Sequence, residues 1–112
     1  MSDCLFCKIA AGQIPSKTVY ADDRVFAFED IAPKAPTHVL VIPRRHIATL
    51  AEARPEDAAL VGEVIARAAA IARERGHEHF RIVANNGAEA GQSVFHLHFH
   101  LLAGRPFSWP PG

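Results

Sequence analysis

The chain has 112 residues, of which 49% are hydrophobic and 21% charged, a composition that excludes intrinsic disorder and suits one folded domain. Lys and Arg total 12, as do Asp and Glu, so the net charge gives no basis for binding nucleic acid. The sequence lacks an apolar run of the roughly 18 residues that a membrane span needs, and its N-terminus does not resemble a signal peptide. We therefore expect a cytoplasmic protein that binds neither nucleic acid nor membranes.

The first half of the chain predicts a short helix followed by three strands. Residues 4–12 fit one or two helical turns that end at a glycine. Residues 17–20 and 24–29 are rich in strand-forming side chains and flank a turn, which indicates a hairpin. Residues 37–43 form a β-branched apolar run that is too short for a surface helix, so we predict a buried strand.

The second half predicts one long helix over residues 55–75. Pro55 suits a first helical position, acidic residues follow it at the positive end of the helix dipole, and a glycine ends the segment. Residues 80–84 and 94–102 are predicted strands, joined by a glycine-rich loop over 85–92. The expected fold class is α+β, with one helix laid on a small antiparallel sheet.

Three of the seven histidines alternate with apolar residues in the second of these strands. Because a strand has a period of two, His96, His98 and His100 share one face, and the residues between them face the core. In a helix the same side chains would point in different directions. Neutral imidazole is a nucleophile, a proton donor or acceptor and a zinc ligand, so the pattern indicates phosphoryl chemistry or a metal site.

The loop before the histidines favours phosphate as the ligand. Its glycines, Gly91 among them, allow backbone N–H groups to approach an anion closely. Ser93 can donate or pass a proton, and Asn85 and Gln92 can donate hydrogen bonds. Taken alone, the loop also fits an ordinary connection between strands.

Two residues outside this loop extend the candidate site. His38 is in phase with the apolar side chains of its strand; a lone histidine there is usually a satisfied core residue, but beside three others it can hydrogen-bond to the site. Asp30 follows a strand and can accept from both hydroxyls of a ribose, although its position also fits a plain turn aspartate.

The segment HLHFHLL resembles the signature of the histidine-triad (HIT) superfamily, His-φ-His-φ-His-φ-φ with φ apolar. Together with AGQSVFHLHFH, DIAPKAPTHVLVIP and the tail SWPPG, it makes the chain similar to the nucleotide-binding Hint branch over nearly its whole length. The resemblance implies a single HIT domain over residues 1–112 with a five-stranded antiparallel sheet, one long helix and a short N-terminal helix. It also implies a homodimer with a ten-stranded sheet.

The activity implied by the resemblance is that of a purine nucleoside phosphoramidase, which hydrolyses the P–N bond of AMP-type phosphoramidates without a catalytic cofactor. His98 would attack the α-phosphorus and form a covalent nucleotidyl-histidine. The other catalytic residues would be His38, His96, His100 and Ser93, with Ser93 serving the proton of the leaving group.

The resemblance also assigns residues that hold the nucleotide. Asp30 would bind the ribose hydroxyls. The phosphate would lie near Asn85, Gly91, Gln92 and Ser93. The purine would lie in an apolar slot formed by Leu5, Phe6, Ile14, Phe28 and Ile31. Trp109, in the C-terminal tail, would approach the site of the partner chain.

Cys4 and Cys7 form a C-x-x-C pair, which offers two of the four ligands that a structural zinc needs. His46 and His96 are available to complete the set, and some bacterial-type members of the family carry zinc on these four positions. We therefore expect a structural zinc, which can supply stability that a small core lacks. The alternatives are a redox pair, whose usual preceding strand is missing, and two thiols that pack as small hydrophobes.

Three other functions fit the same residues. The first is a dinucleoside polyphosphate hydrolase, as in other branches of the superfamily, and the second is a nucleotide-binding regulatory module. The third is a zinc protein that uses the histidine face as its metal site. The short chain and the SWPPG tail favour the phosphoramidase.

Overall fold

The computed structural model describes residues 3–112. Its helices and strands, in chain order, are α1 (Leu5–Ala10), β1 (Thr18–Ala21), β2 (Val25–Glu29), β3 (Thr37–Pro43), α2 (Ala58–Glu74), β4 (Phe80–Val83) and β5 (Phe99–Ala103). Short 3₁₀ turns cover Leu50–Glu52, Pro55–Asp57 and Ala88–Ala90. The predicted long helix therefore begins as a 3₁₀ turn at its proline and continues as α2.

The five strands form one antiparallel sheet in the order β1-β2-β3-β5-β4. The first two strands are the predicted hairpin, and β3 lies in the centre with every residue buried. In the β3–β5 register His38 lies opposite Leu102 and Leu40 lies opposite His100. His38 and His100 are therefore diagonal neighbours on one face, close enough for their side chains to interact.

Both faces of the sheet are covered by apolar side chains. Alternate residues of β2 separate the two layers, because Ala27 belongs to the cluster under α2 whereas Phe26 and Phe28 belong to the cluster under α1. The α2 layer buries Leu60, Val64, Ala68, Ile71 and Ala72 from the helix. Burying a large apolar side chain contributes about 1.5–3 kcal/mol, so the buried Leu60, Val64 and Ile71 of α2 each contribute substantially to holding the helix on the sheet.

This architecture confirms the predicted fold class: an α+β fold with a five-stranded antiparallel sheet, one long helix and one short helix. Within the described residues, no helix is both long enough and apolar enough to cross a bilayer.

One predicted strand is wrong in its extent, because residues 94–102 do not form a single strand and β5 begins only at Phe99. The β3–β5 pairing ends at Val41 and Phe99, and Pro43, two residues further along β3, has no N–H to extend it. The backbone N–H of Leu97 instead donates to the Ile47 carbonyl. The predicted alternation nevertheless persists, since Leu97, Phe99 and Leu101 all face the α2 layer.

Gly104, directly after β5, has no room for a side chain. Its φ is +97°, and a Cβ there would lie 2.8 Å from Cβ of the rigid Pro36 ring. We expect Gly104→Ala to lower the free energy of unfolding by about 1–3 kcal/mol, measured by chemical denaturation. The control is Gly62→Ala within α2, where a methyl group meets no atom within 4 Å, and a gain of about 1 kcal/mol is expected. A Gly104 variant as stable as the parent would show that the backbone and Pro36 accommodate the methyl group.

Candidate functional site

Four side chains with metal-binding atoms meet where three segments converge. Cys4 caps the N-terminus of α1 and accepts a hydrogen bond from the backbone N–H of Cys7, which lies one turn further along. His46 follows β3, and His96 lies just before β5. One ligand atom from each residue lies within 4.8 Å of those of the other three. The structure thus brings together the four residues expected to hold zinc.

The distances within this cluster match those between the ligands of one tetrahedral ion. Nδ1 of His96 lies 3.3 Å from Sγ of Cys4 and 3.5 Å from Sγ of Cys7. Nδ1 of His46 lies 3.5 Å from Sγ of Cys7 and 3.3 Å from Nδ1 of His96. Zinc–sulfur bonds of about 2.3 Å and zinc–nitrogen bonds of about 2.0 Å place tetrahedral ligands roughly 3.3–3.8 Å apart. The arrangement therefore fits a structural zinc.

The protonation of His96 fits the same conclusion. Its Nε2 lies 2.8 Å from the carbonyl oxygen of Pro43, and because a carbonyl only accepts, the ring proton is on Nε2 and Nδ1 keeps its lone pair. This is the usual arrangement of a metal-bound histidine. Burial lowers the pKa of His96 to about 4, so the ring is neutral at pH 7.

The thiol of Cys7 needs a compensating cation to ionise at pH 7. Burial, and then the neighbouring Cys4, raise the pKa of Cys7 to about 11. A divalent metal ion reverses this balance, because coordination favours the thiolate. Both cysteines are free thiols and only partly exposed to solvent. This environment suits metal ligands better than redox-active thiols, which are exposed to solvent.

A second cluster, formed by Asp30, His38 and His100, has a similar composition but different hydrogen bonding. Nδ1 of His38 accepts from the backbone N–H of Lys34 at 3.0 Å, so the proton of the neutral ring is on Nε2. That nitrogen lies 2.9 Å from Nδ1 of His100 and 3.3 Å from Oδ2 of Asp30. Because a protonated nitrogen cannot bind a metal, these residues form a hydrogen-bonded chain and not a metal site.

The chain also determines where His100 carries its proton. Its Nδ1 accepts from His38, and burial lowers the pKa of His100 to about 4. Burial likewise lowers the pKa of His38, although Asp30 opposes this effect. At pH 7 His100 is therefore a neutral ring with its proton on Nε2, from which it can donate to a ligand oxygen.

His98 lies between the two clusters and has the opposite tautomer to His100. Its Nδ1 lies 2.8 Å from the carbonyl oxygen of His96, so Nδ1 carries the proton and Nε2 the lone pair. The ring is buried and packs edge-on against Phe6 at 5.1 Å and against His100 at 5.0 Å between centroids. The ring of His98 is thus held with Nε2 available as an acceptor, beside the hydrogen-bond donor His100.

An open cleft of about 680 Å³ adjoins the hydrogen-bonded chain. His38 and Asp30 form one part of its wall, and Ile31, which is 99% exposed, forms another. The remaining lining residues are Pro15, Ser16, Lys17, Glu29, Pro33 and Pro36. This volume is typical of small-molecule sites.

The structure gives two predicted site residues different surroundings. The ring of His96 turns into the cysteine cluster, away from the group formed by His98 and His100. Gln92 is buried, and its amide is satisfied within the chain. Its oxygen accepts from the N–H of Gly87, and its nitrogen donates to the carbonyls of Ala48 and Val94. It therefore organises the glycine-rich loop and has no donor left for a phosphate.

The residues of the predicted purine slot are not gathered around one cavity. Phe6 and Phe28 are buried and contact each other edge-on at 5.3 Å between centroids, and Ile14 packs at the border of the same cluster. Leu5 lines a separate cleft, together with His46 and Ser93, whereas Ile31 lines the cleft beside Asp30. Trp109, in the tail, is 81% exposed.

The two loop residues Asn85 and Gly91 lie against each other. A Cβ on Gly91 would meet the Asn85 amide at 3.5 Å, and the φ of Gly91 is +102°. That distance is an ordinary van der Waals contact, so the positive φ, and not the neighbouring asparagine, is what favours glycine here.

The groups that brace the cleft were not predicted from the sequence. Arg75, after α2, donates to Glu29 at 2.6 Å, and His77 lies 2.9 Å from the buried hydroxyl of Thr37. Glu29 precedes Asp30 and Thr37 precedes His38, so the end of α2 holds both cleft-forming segments. Contacts of this kind carry no motif that sequence reasoning could find.

The chain matches a known family over most of its length. The profile of the HIT domain matches residues 11–107. The chain belongs to the HIT family. It is similar to an uncharacterized HIT-like protein of Synechocystis sp., with 52% identity over 98% of this chain and 97% of the relative.

Two further relatives bear on the fold and on the metal cluster. A solved HIT family hydrolase from Legionella pneumophila superposes with a TM-score of 0.96 at 46% identity, covering 98% of this chain and 100% of that one. A 14 kDa zinc-binding protein of Brassica juncea is 43% identical over 98% of this chain and 100% of its own length. The family expected from the sequence is confirmed.

The cysteine cluster predicts the metal content of this HIT protein. Protein purified without added metal should carry about one zinc per chain by elemental analysis, and Cys7→Ser should lose it. Removal of a ligand that binds only the folded state should lower the free energy of unfolding, by about 4 kcal/mol when free zinc exceeds its dissociation constant a thousandfold. His79→Ala, at an exposed position, is the control. Less than one equivalent in every preparation would count against the site.

Proposed function

We propose that this HIT protein is a nucleotide hydrolase that cleaves the P–N bond of purine nucleoside phosphoramidates. The observation that carries the proposal is the pairing of two imidazoles whose hydrogen bonds give them opposite tautomers. His98 has its lone pair on Nε2, and His100, 5.0 Å away between ring centroids, has its proton on Nε2. One ring can attack phosphorus while the other donates to a phosphoryl oxygen.

The reaction divides into two displacements. In the first, Nε2 of His98 forms a bond to the α-phosphorus, the P–N bond breaks, and the protonated nitrogen leaves as an amine. The carbonyl oxygen of His96, which accepts the Nδ1 proton, stabilises the positive charge that the phosphorylated ring acquires. In the second, water attacks the same phosphorus, the bond from phosphorus to Nε2 of His98 breaks, and one proton of the water passes to solvent, so the nucleoside monophosphate leaves and the ring of His98 is regenerated.

The hydrogen-bonded chain supports the phosphate during both steps. His38 donates to Nδ1 of His100, which draws electron density from the His100 ring and strengthens the hydrogen bond that the ring donates from Nε2. Asp30, 3.3 Å from Nε2 of His38, stabilises positive charge on this chain and lines the cleft that we assign to the nucleoside. In the cleft it can accept from ribose hydroxyls, and the exposed Ile31 can contact the base.

The comparisons support a hydrolase in general terms, since the solved relative from Legionella pneumophila is called a HIT family hydrolase. The preference for phosphoramidates over other nucleotides rests on the resemblance to the Hint branch. Ser93 remains a proposed route for the proton of the leaving group, although here it lines a cleft with Leu5 and His46.

Homodimerisation is part of the proposal. The outer edge of β4 is unpaired in the described chain, and Phe80 at its start is 37% exposed. Arg81 donates to the carbonyl of Ser108, which places the tail with the exposed Trp109 beside β4. A second copy can cover this edge and extend the sheet to ten strands.

Light scattering should give twice the chain mass; a monomer at micromolar concentration would contradict the dimer.

The nucleophile is tested with His98→Ala. The variant should fold and still bind a nucleoside monophosphate, because His98 does not line the cleft that we assign to the nucleoside. Turnover of an adenosine phosphoramidate should fall roughly 10⁴-fold or more. Steady-state kinetics and calorimetry measure the two properties. Rapid quenching of the parent into alkaline denaturant, which preserves the acid-labile P–N bond of a phosphorylated histidine, should reveal a chain heavier by one nucleotidyl group, absent from the variant.

The same assay distinguishes the alternatives. His79→Ala, exposed and outside the site, should retain full activity. Faster turnover of a diadenosine polyphosphate than of the phosphoramidate would favour the dinucleotide hydrolase. Undiminished activity in purified His98→Ala would remove this residue from the mechanism.

A further inference from the structure

His96 belongs to both the cysteine cluster and the surroundings of the nucleophile. Its ring faces Cys4 and Cys7 through Nδ1, at 3.3 and 3.5 Å, and is held from the other side by the carbonyl of Pro43. Its own carbonyl oxygen accepts a hydrogen bond from Nδ1–H of His98, with 2.8 Å between the nitrogen and the oxygen. A rotation of the His96 peptide therefore moves the carbonyl oxygen that determines which nitrogen of His98 carries the proton.

Phe6 makes a second connection between the same two sites. It lies between Cys4 and Cys7 in the C-x-x-C segment, and its ring packs edge-on against His98 at 5.1 Å and against His96 at 6.1 Å. Fixing both cysteines therefore also fixes Phe6, whose ring packs against His98. Two separate contacts, one polar and one apolar, run from the cluster to His98.

Helix α1 depends on its tertiary contacts for order. It has only six residues, whereas isolated helices shorter than about 12–15 residues are marginal in water. Its anchors are the buried Phe6 and Ile9 and the two cysteines. Loss of ligand bonds at Cys4 and Cys7 removes one of these two sets of anchors and loosens the contact of Phe6 with His98.

We propose that the Cys4–Cys7–His46–His96 cluster, once it holds zinc, acts as a positioning device that keeps His98 in its nucleophilic tautomer. The inference rests on the proposed function for its catalytic consequence, but not for its structural one. Without a fixed His96 carbonyl, the neutral ring of His98 can carry its proton on either nitrogen. The form with the proton on Nε2 has no lone pair there and cannot attack phosphorus.

The decisive experiment reads the tautomer of His98 directly. Protein labelled with ¹⁵N in its histidines is compared with Cys7→Ser by long-range ¹H–¹⁵N NMR, and the His98 signals are assigned by their absence from His98→Ala. In the zinc-loaded parent we expect His98 with its proton on Nδ1. In Cys7→Ser, or in the parent after chelation, we expect a mixture that includes the Nε2–H form.

Catalysis should follow the tautomer. Turnover of the phosphoramidate by Cys7→Ser should fall by about 10–100-fold, as for other residues that orient a functional histidine. The loss should appear in kcat and leave KM unchanged, since Asp30 and Ile31, which line the cleft, are outside the cluster.

Gly104→Ala is the control for general loss of stability, because its strain lies against Pro36 at the far end of β5. It should lower stability without changing the His98 signals. If Cys7→Ser fails to fold, His46→Asn removes a partly buried ligand and is read in the same way.

The outcomes separate the two proposals. A His98 that keeps its proton on Nδ1 in a folded, zinc-free protein overturns the coupling, whatever the activity. A tautomer that shifts on chelation, in a parent that does not hydrolyse phosphoramidates, supports the coupling and overturns the proposed function. The same change of the His98 tautomer in Gly104→Ala would also overturn the coupling, because it would show that lost stability, and not loss of zinc, changes the tautomer.

Discussion

Three backbone groups decide the chemistry of the imidazoles, because each fixes the nitrogen that carries the proton. The carbonyls of Pro43 and His96 accept from His96 and His98, and the N–H of Lys34 donates to His38. Burial lowers the pKa of His96 and of His38, so these rings are neutral, with one donor and one acceptor each. Moving the proton to the other nitrogen would turn Nδ1 of His96 or Nε2 of His98 from an acceptor into a donor, and would turn Nε2 of His38 from a donor into an acceptor.

This constraint separates two clusters that have similar metal-binding side chains. In the first, the bond from His96 to a carbonyl leaves Nδ1 bare toward Cys4 and Cys7. In the second, the bond from a backbone N–H leaves Nε2 of His38 protonated toward His100. Residue type and proximity alone would make both clusters candidate metal sites. The hydrogen bonds leave a bare ligand nitrogen in the first cluster and a chain of hydrogen-bond donors in the second.

The sequence is informative where a repeat or a covalent constraint acts locally. Period-two alternation predicted that Leu97 and Phe99 share the core face, and both lie in the layer under α2. The opposite face is also covered, since His96 and His98 are buried and pack against Phe6 of the α1 layer. Alternation alone could not predict that His96 turns into the cysteine cluster, because that depends on where α1 returns to the sheet; the resemblance to the family is what placed His96 among the expected zinc ligands. The role of Gln92 was equally hidden, since its three partners are backbone groups, one of them the distant carbonyl of Ala48.

The irregular segment before β5 is what allows one histidine to serve two sites. In a continued ladder Pro43 would lie opposite Leu97, and backbone groups of residues 96–98 would be committed to a neighbouring strand. Because proline has no N–H, that ladder stops, and the N–H of Leu97 pairs with Ile47 instead. The carbonyl of Pro43 accepts from the His96 ring, and the carbonyl of His96 accepts from the ring of His98. These two hydrogen bonds link the cysteine cluster to His98.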